Sequence, residues 1–342
     1  MNAMRRLRAG LRGWGGVGAM AVLCALTLVF ALVLPVKGTR GDVTTGGPGV
    51  ARGVQARADE KCDDATSQDQ SLRPSRDMSG RTIAEIEKRG YLRIGVDQNS
   101  FRWGYRDPNN TDADAELEGF DIDLAHRIAE EILGDRTKVR FRAVPTNQRV
   151  HAIQEKQVDM VVRTMTINCE RMGSVAFSQP YFRTGQQLLA PKSSTIKGYD
   201  KTLAGKKICT AATSTAWKRL KADKEKGTPV SSAVIYPPVP NQLDCLVRLQ
   251  LGEVDAVVTD GALAASQAAQ DPTVALKGAP FTTEYYGVAM HLDAEDLVRR
   301  VNQVLVDYLK DGWQESYTKW LSATMPGTPA DSRPRSPQQY RD

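Results

Sequence analysis

The sequence predicts an α/β protein of two lobes of related construction with a ligand cleft between them. Three observations lead there. A near-repeat reads Ile153-Gln154-x-x-x-Val158-Asp159-x-Val161-Val162 and again Leu249-Gln250-x-x-x-Val254-Asp255-x-Val257-Val258. Each copy ends an amphipathic helix and turns into a short strand of buried type, although taken alone the pattern also fits an ordinary helix-to-strand turn. Helical and strand-like segments alternate around both copies with no tight Asn-Gly hairpin, so a mainly parallel sheet is expected in each lobe. Opposite chemistry follows the two copies: Arg163 to Arg171 brings cations and hydroxyls, Thr259-Asp260 a carboxylate. Ligands of open α/β sheets sit beyond the carboxyl ends of the strands, and this combination suits a zwitterion.

The first segment, residues 1–13, carries Arg5, Arg6, Arg8 and Arg12, and Trp14 to Val36 follows without a charge. Such a run spans about 33 Å as a helix, enough for a bilayer core, with the basic flank on the cytoplasmic side. A cleaved signal peptide competes, but the run is long for one and lacks a small-x-small site, which favours an uncleaved anchor over residues 14–36. The chain would then sit at the cell membrane, on its extracytoplasmic face. Residues 37–80, rich in Gly, Asp, Ser and Arg without an apolar period, read as a tether.

Order begins at Thr82-Ile-Ala-Glu85, a capping box, with Gly90 as the helix stop. A strand Leu92 to Val96 leads into a polar and aromatic loop with Asp97, Phe101, Arg102, Trp103 and Tyr105. Gly119-Phe-Asp-Ile-Asp-Leu124 opens a helix with rows Leu124, Ile128, Ile132 and Ala125, Ala129, Leu133, ended by Gly134. Val139 to Val144 alternates as a strand, and a helix from about Gln148 reaches the first repeat copy. The second lobe starts near Gly205-Lys-Lys-Ile-Cys209. Lobe 2 should hold helices near Thr215 to Lys226, Asn241 to Leu251 and Gly261 to Ala269. Leu297, Val301, Val304, Leu305 and Tyr308 mark a long helix, Tyr317, Trp320 and Leu321 a shorter one. Prolines 326, 329, 334 and 337 imply an extended tail over 325–342.

The chain has 342 residues and a net charge of +6, but its basic residues are scattered without a stripe interleaved with aromatics, so nucleic acid is not expected as a partner. Only His126, His151 and His291 are present and no Cys-x-x-Cys occurs, which argues against a metal site. Beyond the anchor lie Cys62, Cys169, Cys209 and Cys245, an even number that favours two disulfides outside the cytoplasm, with free thiols as the second reading. Cys209 ends the first strand of lobe 2 and Cys245 starts the helix after the second, adjacent positions in a parallel sheet. That pairing leaves Cys62 for Cys169; the alternative, Cys169 with Cys209, would cross the cleft and hinder its motion.

Several motifs carry a family resemblance over roughly residues 80 to 322. They are Gly119-Phe-Asp-Ile-Asp-Leu124 with Ile128-Ala129 and Ile132, Thr164-Met-Thr-Ile-Asn-Cys-Glu-Arg171, Val175-Ala-Phe-Ser-Gln-Pro-Tyr181 and Val254-Asp-Ala-Val-Val-Thr-Asp260. The chain resembles the polar amino-acid-binding proteins of ABC transporters, family 3 of the extracellular solute-binding proteins. Trp103-Gly-Tyr-Arg-Asp-Pro108 and Tyr340-Arg-Asp342 make it similar to actinobacterial glutamate-type members. The resemblance implies a periplasmic-binding-protein-like fold of type II, with lobe 1 over 81–190 and 281–324, lobe 2 over 191–280 and two crossover segments near Leu188 to Lys192 and Phe281 to Met290. It also implies no enzymatic activity and no cofactor. It implies that Arg171 binds the ligand's α-carboxylate, helped by Thr164, Thr166 and Asn168, and that Asp260 accepts from its ammonium. Lysine would not reproduce the guanidinium fork; for Asp260 a helix N-cap is the competing role.

Thr213, Ser214 and Thr215 precede a helix and could hold an anion or simply cap it. Phe101, Trp103 and Asp97 are expected around the pocket, with Arg102, Arg149 and Arg163 as candidates for a second, side-chain carboxylate. The expected function is capture of glutamate, aspartate or their amides for an ABC permease. A sensor ectodomain reporting to a membrane kinase is the alternative.

Overall fold

A computed structural model describes residues 62–341 except 65, 113–115, 326 and 335–339; the expected basic segment, anchor and most of the tether lie outside the described residues. Among the described residues no helix is long and apolar enough to cross a membrane. The last part of the expected tether is ordered. Cys62 is bonded to Cys169, strand β1 (Ser71–Leu72) follows, and Arg76 pairs with Asp307 at 2.7 Å.

Helix α1 (Arg81–Arg89) is followed by β2 (Leu92–Val96), α2 (Phe120–Leu133), β3 (Val139–Ala143), α3 (Arg149–Gln154), β4 (Met160–Val161), α4 (Cys169–Met172) and β5 (Ala176–Thr184). Then come β6 (Gln186–Pro191), β7 (Lys207–Cys209), α5 (Thr215–Glu225), β8 (Val234–Ile235), α6 (Gln242–Gln250), β9 (Ala256–Asp260), α7 (Gly261–Gln270) and β10 (Val274–Lys277). The chain returns through β11 (Glu284–Met290), α8 (Glu295–Asp311) and α9 (Trp313–Trp320), and ends with α10 (Pro329–Ser332) and β12 (Tyr340–Arg341).

Two five-stranded sheets form two lobes, in orders β3-β2-β4-β11-β5 and β8-β7-β9-β6-β10. The repeat copies supply β4 and β9, the third strand of each sheet. The two sheets are built alike: three parallel strands, then an antiparallel strand that has just crossed from the other lobe. The sheets are therefore mixed rather than mainly parallel. A strand arriving from the partner lobe comes in at the carboxyl ends of its neighbours and must run against them.

The crossovers also shift. β6, assigned to lobe 1 by the sequence reading, bonds within the second sheet, so the first crossing is the turn Thr184-Gly185-Gln186. The second precedes β11, because Glu284 already pairs with Thr184 in the first sheet.

Helix α1 is capped by tertiary contact instead of the expected box: Gly80 is its N-cap, and the Asp296 carboxylate accepts the Ile83 N–H at 3.0 Å. The proline-rich tail is not simply extended. Thr328 and Asp331 box the short α10, and β12 lies parallel to β1. The lobe 1 core gathers Phe120, Tyr181, Phe182, Tyr286 and Trp313 between α2, α8 and the sheet, while lobe 2 packs α5 against β9 and β6 through Leu220, Ala256, Val258 and Leu188.

Candidate functional site

The carboxyl ends of β4 and β9 face each other across the cleft, and three arginines and three carboxylates meet there. Arg171 is placed by α4, a single turn with little stability of its own. Asn168 caps that turn, its Oδ1 accepting the Arg171 N–H at 2.9 Å; Cys169 is bonded to Cys62, and the Cys169 N–H donates to Asp64 at 2.7 Å. The Arg171 guanidinium donates to the Thr166 carbonyl at 2.6 Å and, across the cleft, to the Thr213 carbonyl at 3.2 Å. It forms no ion pair among the described residues.

Arg149, on α3, donates to the carbonyls of Thr146 (3.1 Å) and Arg163 (3.1 Å) and likewise has no ion pair among the described residues. Burial, with Arg171 and Arg163 nearby, makes its charged form costly and holds its pKa well down; Asp260 and Asp97 oppose this. Arg163 differs. It is fully buried and neutralised by Asp97 at 2.8 Å, and it donates to Thr146 Oγ1 (3.0 Å) and, across the cleft, to Asn241 Oδ1 (3.1 Å). Asp97 also accepts from Ser100 and the N–H groups of Gln98 and Asn99.

Asp260 ends β9. It accepts from the Tyr286 hydroxyl at 2.7 Å and from Gln186, and burial raises its pKa. It makes no side-chain cap for α7, the competing role. Arg149, Arg171, Thr146, Met165, Thr213 and Lys218 line one cavity of about 220 Å³ in this cleft. That is room for roughly seven water molecules, or one small ligand. Another depression, of about 150 Å³, lies behind lobe 1, but its Arg89 and Arg93 are both paired with Asp159.

Several expected site residues are otherwise engaged. Asn168 is committed to its cap. Thr164 has φ 39°, and its N–H goes to Asp121 (3.0 Å) and the Tyr181 hydroxyl (3.1 Å). Ser214 caps α5 by accepting the Trp217 N–H, whereas Thr213, with φ 60°, reaches the cavity. Arg102 turns away to the Trp320 carbonyl. Trp103 is fully buried among Phe120, Phe182 and Tyr286, because the loop tucks it under Gly119 into the lobe 1 core. Phe101 packs edge-on to Tyr105, beside Leu243 and Leu263 of lobe 2 rather than at Arg171.

Three residues at the centre escaped the sequence reading: Thr146, Gln186 and Glu284. Glu284 accepts from Thr166 at 2.7 Å, from Gln186 at 3.0 Å and from Thr215 at 3.1 Å. A signal did exist in the apolar run after Glu284, which places a carboxylate at the mouth of a buried strand.

Residues 92–323 match the model of the bacterial extracellular solute-binding proteins, family 3. The ABC transporter glutamine-binding protein GlnH of Bacillus subtilis is 34% identical, over 72% of this chain and 87% of that protein. The glutamate-binding protein GluB of Corynebacterium efficiens is 29% identical, over 73% of this chain and 86% of that one. Among solved structures, an ancestral arginine-binding protein bound to glutamine superposes with a TM-score of 0.60 at 34% identity, covering 68% of this chain and 98% of its own. A solute receptor for L-cysteine from Neisseria gonorrhoeae gives 0.66 at 24% identity, covering 74% and 99%, a likeness of fold.

Proposed function

The chain belongs to the bacterial extracellular solute-binding proteins of family 3, and on that premise we propose that it holds one acidic amino acid between its lobes for an ABC permease. It is a binding protein of the type II two-lobed fold, not an enzyme. One observation carries the finer reading: Arg149 and Arg171 line the same cavity and neither is ion-paired among the described residues, while Arg163 is neutralised by Asp97. Arg171 takes the α-carboxylate, Arg149 the side-chain carboxylate, and Asp260 the ammonium. Glutamate and aspartate fit best, with their amides second. The uncharged run from Trp14 to Val36 supports membrane tethering.

Calorimetry against the free amino acids tests this. Glutamate or aspartate should bind, and lysine, arginine and histidine should not. Arg171→Ala should cost at least about thirtyfold in Kd, since truncating one partner of a buried charge pair costs about 2–5 kcal/mol. Arg149→Gln should lower affinity for glutamate at least tenfold relative to glutamine. Preference for a basic amino acid would overturn the reading.

A further inference from the structure

Around Glu284 the hydrogen-bond donors run short. Gln186 is fully buried, and its amide nitrogen lies within bonding distance of Asp260, Glu284 (3.0 Å) and Thr215 (2.8 Å), three acceptors for two N–H groups. Its own Oε1 is buried and has no hydrogen-bond partner among the described residues. The corner therefore offers two carboxylates and a stranded carbonyl oxygen, all within reach of one amide. Arg171 is a cation that faces Glu284 and partly opposes the rise of its pKa. Tyr286 faces the same corner and donates to Asp260; burial pushes its pKa well above the usual value, so it stays neutral. Arg149 acts on Asp260 from α3.

We infer that Glu284 is a second anionic partner for the ligand's ammonium, beside Asp260, and that ligand binding drives a proton off this carboxylate pair. The inference rests on the amino-acid reading of the cleft. An ammonium carries three N–H donors and a positive charge, which match the excess of acceptors. Burial first, then the neighbouring Asp260, pushes Glu284 up to about 7, so the carboxyl holds a proton part of the time at neutral pH. An ammonium beside it favours the ionised form and lowers that value in the complex. Affinity is then fully present above about pH 7 and falls as pH drops below it, by at most tenfold per pH unit for one proton.

The test is calorimetry of the full chain with L-glutamate at pH 7, in buffers of different ionisation enthalpy. Release of a fraction of a proton per binding event is expected, with Kd tightening from pH 6 to pH 8. Glu284→Gln, which keeps the shape and an acceptor for Thr166, should bind more weakly at pH 8 and lose both the release and the slope. Glu284→Asp should retain a measurable release. Binding by the wild type without proton exchange, or release unchanged in Glu284→Gln, would overturn the inference while leaving the amino-acid reading intact. Absence of binding to any amino acid would remove that reading first.

Discussion

At Arg171 the guanidinium fork is divided between two backbone carbonyls on opposite sides of the cleft, and its neighbour Arg149 is held by carbonyls alone. Carbonyls satisfy N–H groups without cancelling charge, so both side chains keep a net attraction for carboxylates. A buried carboxylate without such support behaves differently. Asp121, on α2, accepts from Tyr181 at 2.8 Å and from the Thr164 N–H, yet burial still pushes it up to about 7. Its folded-state value lies above the unfolded 3.8, so the folded chain holds this proton longer. The stability tied to it is full below about pH 4 and is lost as pH rises through 7. Asp121→Asn should therefore flatten the decline of urea-unfolding stability between pH 5 and pH 8; an unchanged slope would assign it to other groups. Asp260 could be proposed from the sequence because it ends a recognisable strand, and Arg171 through the resemblance carried by the segment Thr164 to Arg171. The strand that follows Glu284 was legible, but the burial of Glu284 was not, because it depends on β11 crossing from the other lobe, which no local period encodes. Trp103 and Arg102 were misplaced for a related reason: a polar loop hides which of its side chains turns inward.

Among the elements, α4 depends most on its surroundings. Its four residues are held by the Asn168 cap, by the Asp64 carboxylate and by the Cys62–Cys169 disulfide, all within three residues of Arg171. The disulfide spans 107 residues of sequence, for which chain entropy suggests about 4–5 kcal/mol of stabilisation. The strap from Cys62 is also pinned further on, where Asn302 donates to Ser71 Oγ at 2.8 Å and to the Leu72 carbonyl at 2.7 Å. Cys62→Ser should lower Tm by more than 5 °C and weaken ligand binding several-fold, because it loosens the turn carrying Arg171. Scanning calorimetry and ligand titration check both, and unchanged affinity would show that α4 is positioned without its staple. Helix periods and stops were readable because they are local: Gly90 and Gly134 take φ 80° and 69° as the helix ends require. The cap of α1 was not, since Asp296 lies 213 residues from the N–H it accepts.

The whole molecule closes through a small set of contacts across the cleft, and Thr146 stands at their centre. Its N–H donates to the Pro240 carbonyl at 3.2 Å, its hydroxyl donates to Gln242 at 2.8 Å, and that hydroxyl accepts from Arg163. Arg163 continues to Asn241, and further out Lys218 pairs with the exposed Glu170. These bonds differ in worth. A buried hydrogen bond contributes about 0.5–1.5 kcal/mol, whereas an exposed ion pair contributes little and is screened by salt. In a two-lobed binder whose closed form holds the ligand, losing a closing contact lowers the competent population and raises the apparent Kd in proportion. Thr146→Val keeps the shape but strips both hydroxyl bonds and leaves Gln242 Oε1 without this donor. It should raise Kd for the amino acid about tenfold, mainly through faster dissociation, and make the change in radius of gyration on ligand addition smaller in solution scattering. Glu170→Ala, which breaks only the exposed pair, should shift Kd by less than about threefold. Equal effects of the two variants, or a Thr146→Val protein with wild-type dissociation, would mean that closure is governed by the crossovers at Gly185 and before β11. There a Cβ on Gly185 would lie 2.0 Å from the Thr282 carbonyl oxygen, so the two connecting segments pack backbone against backbone.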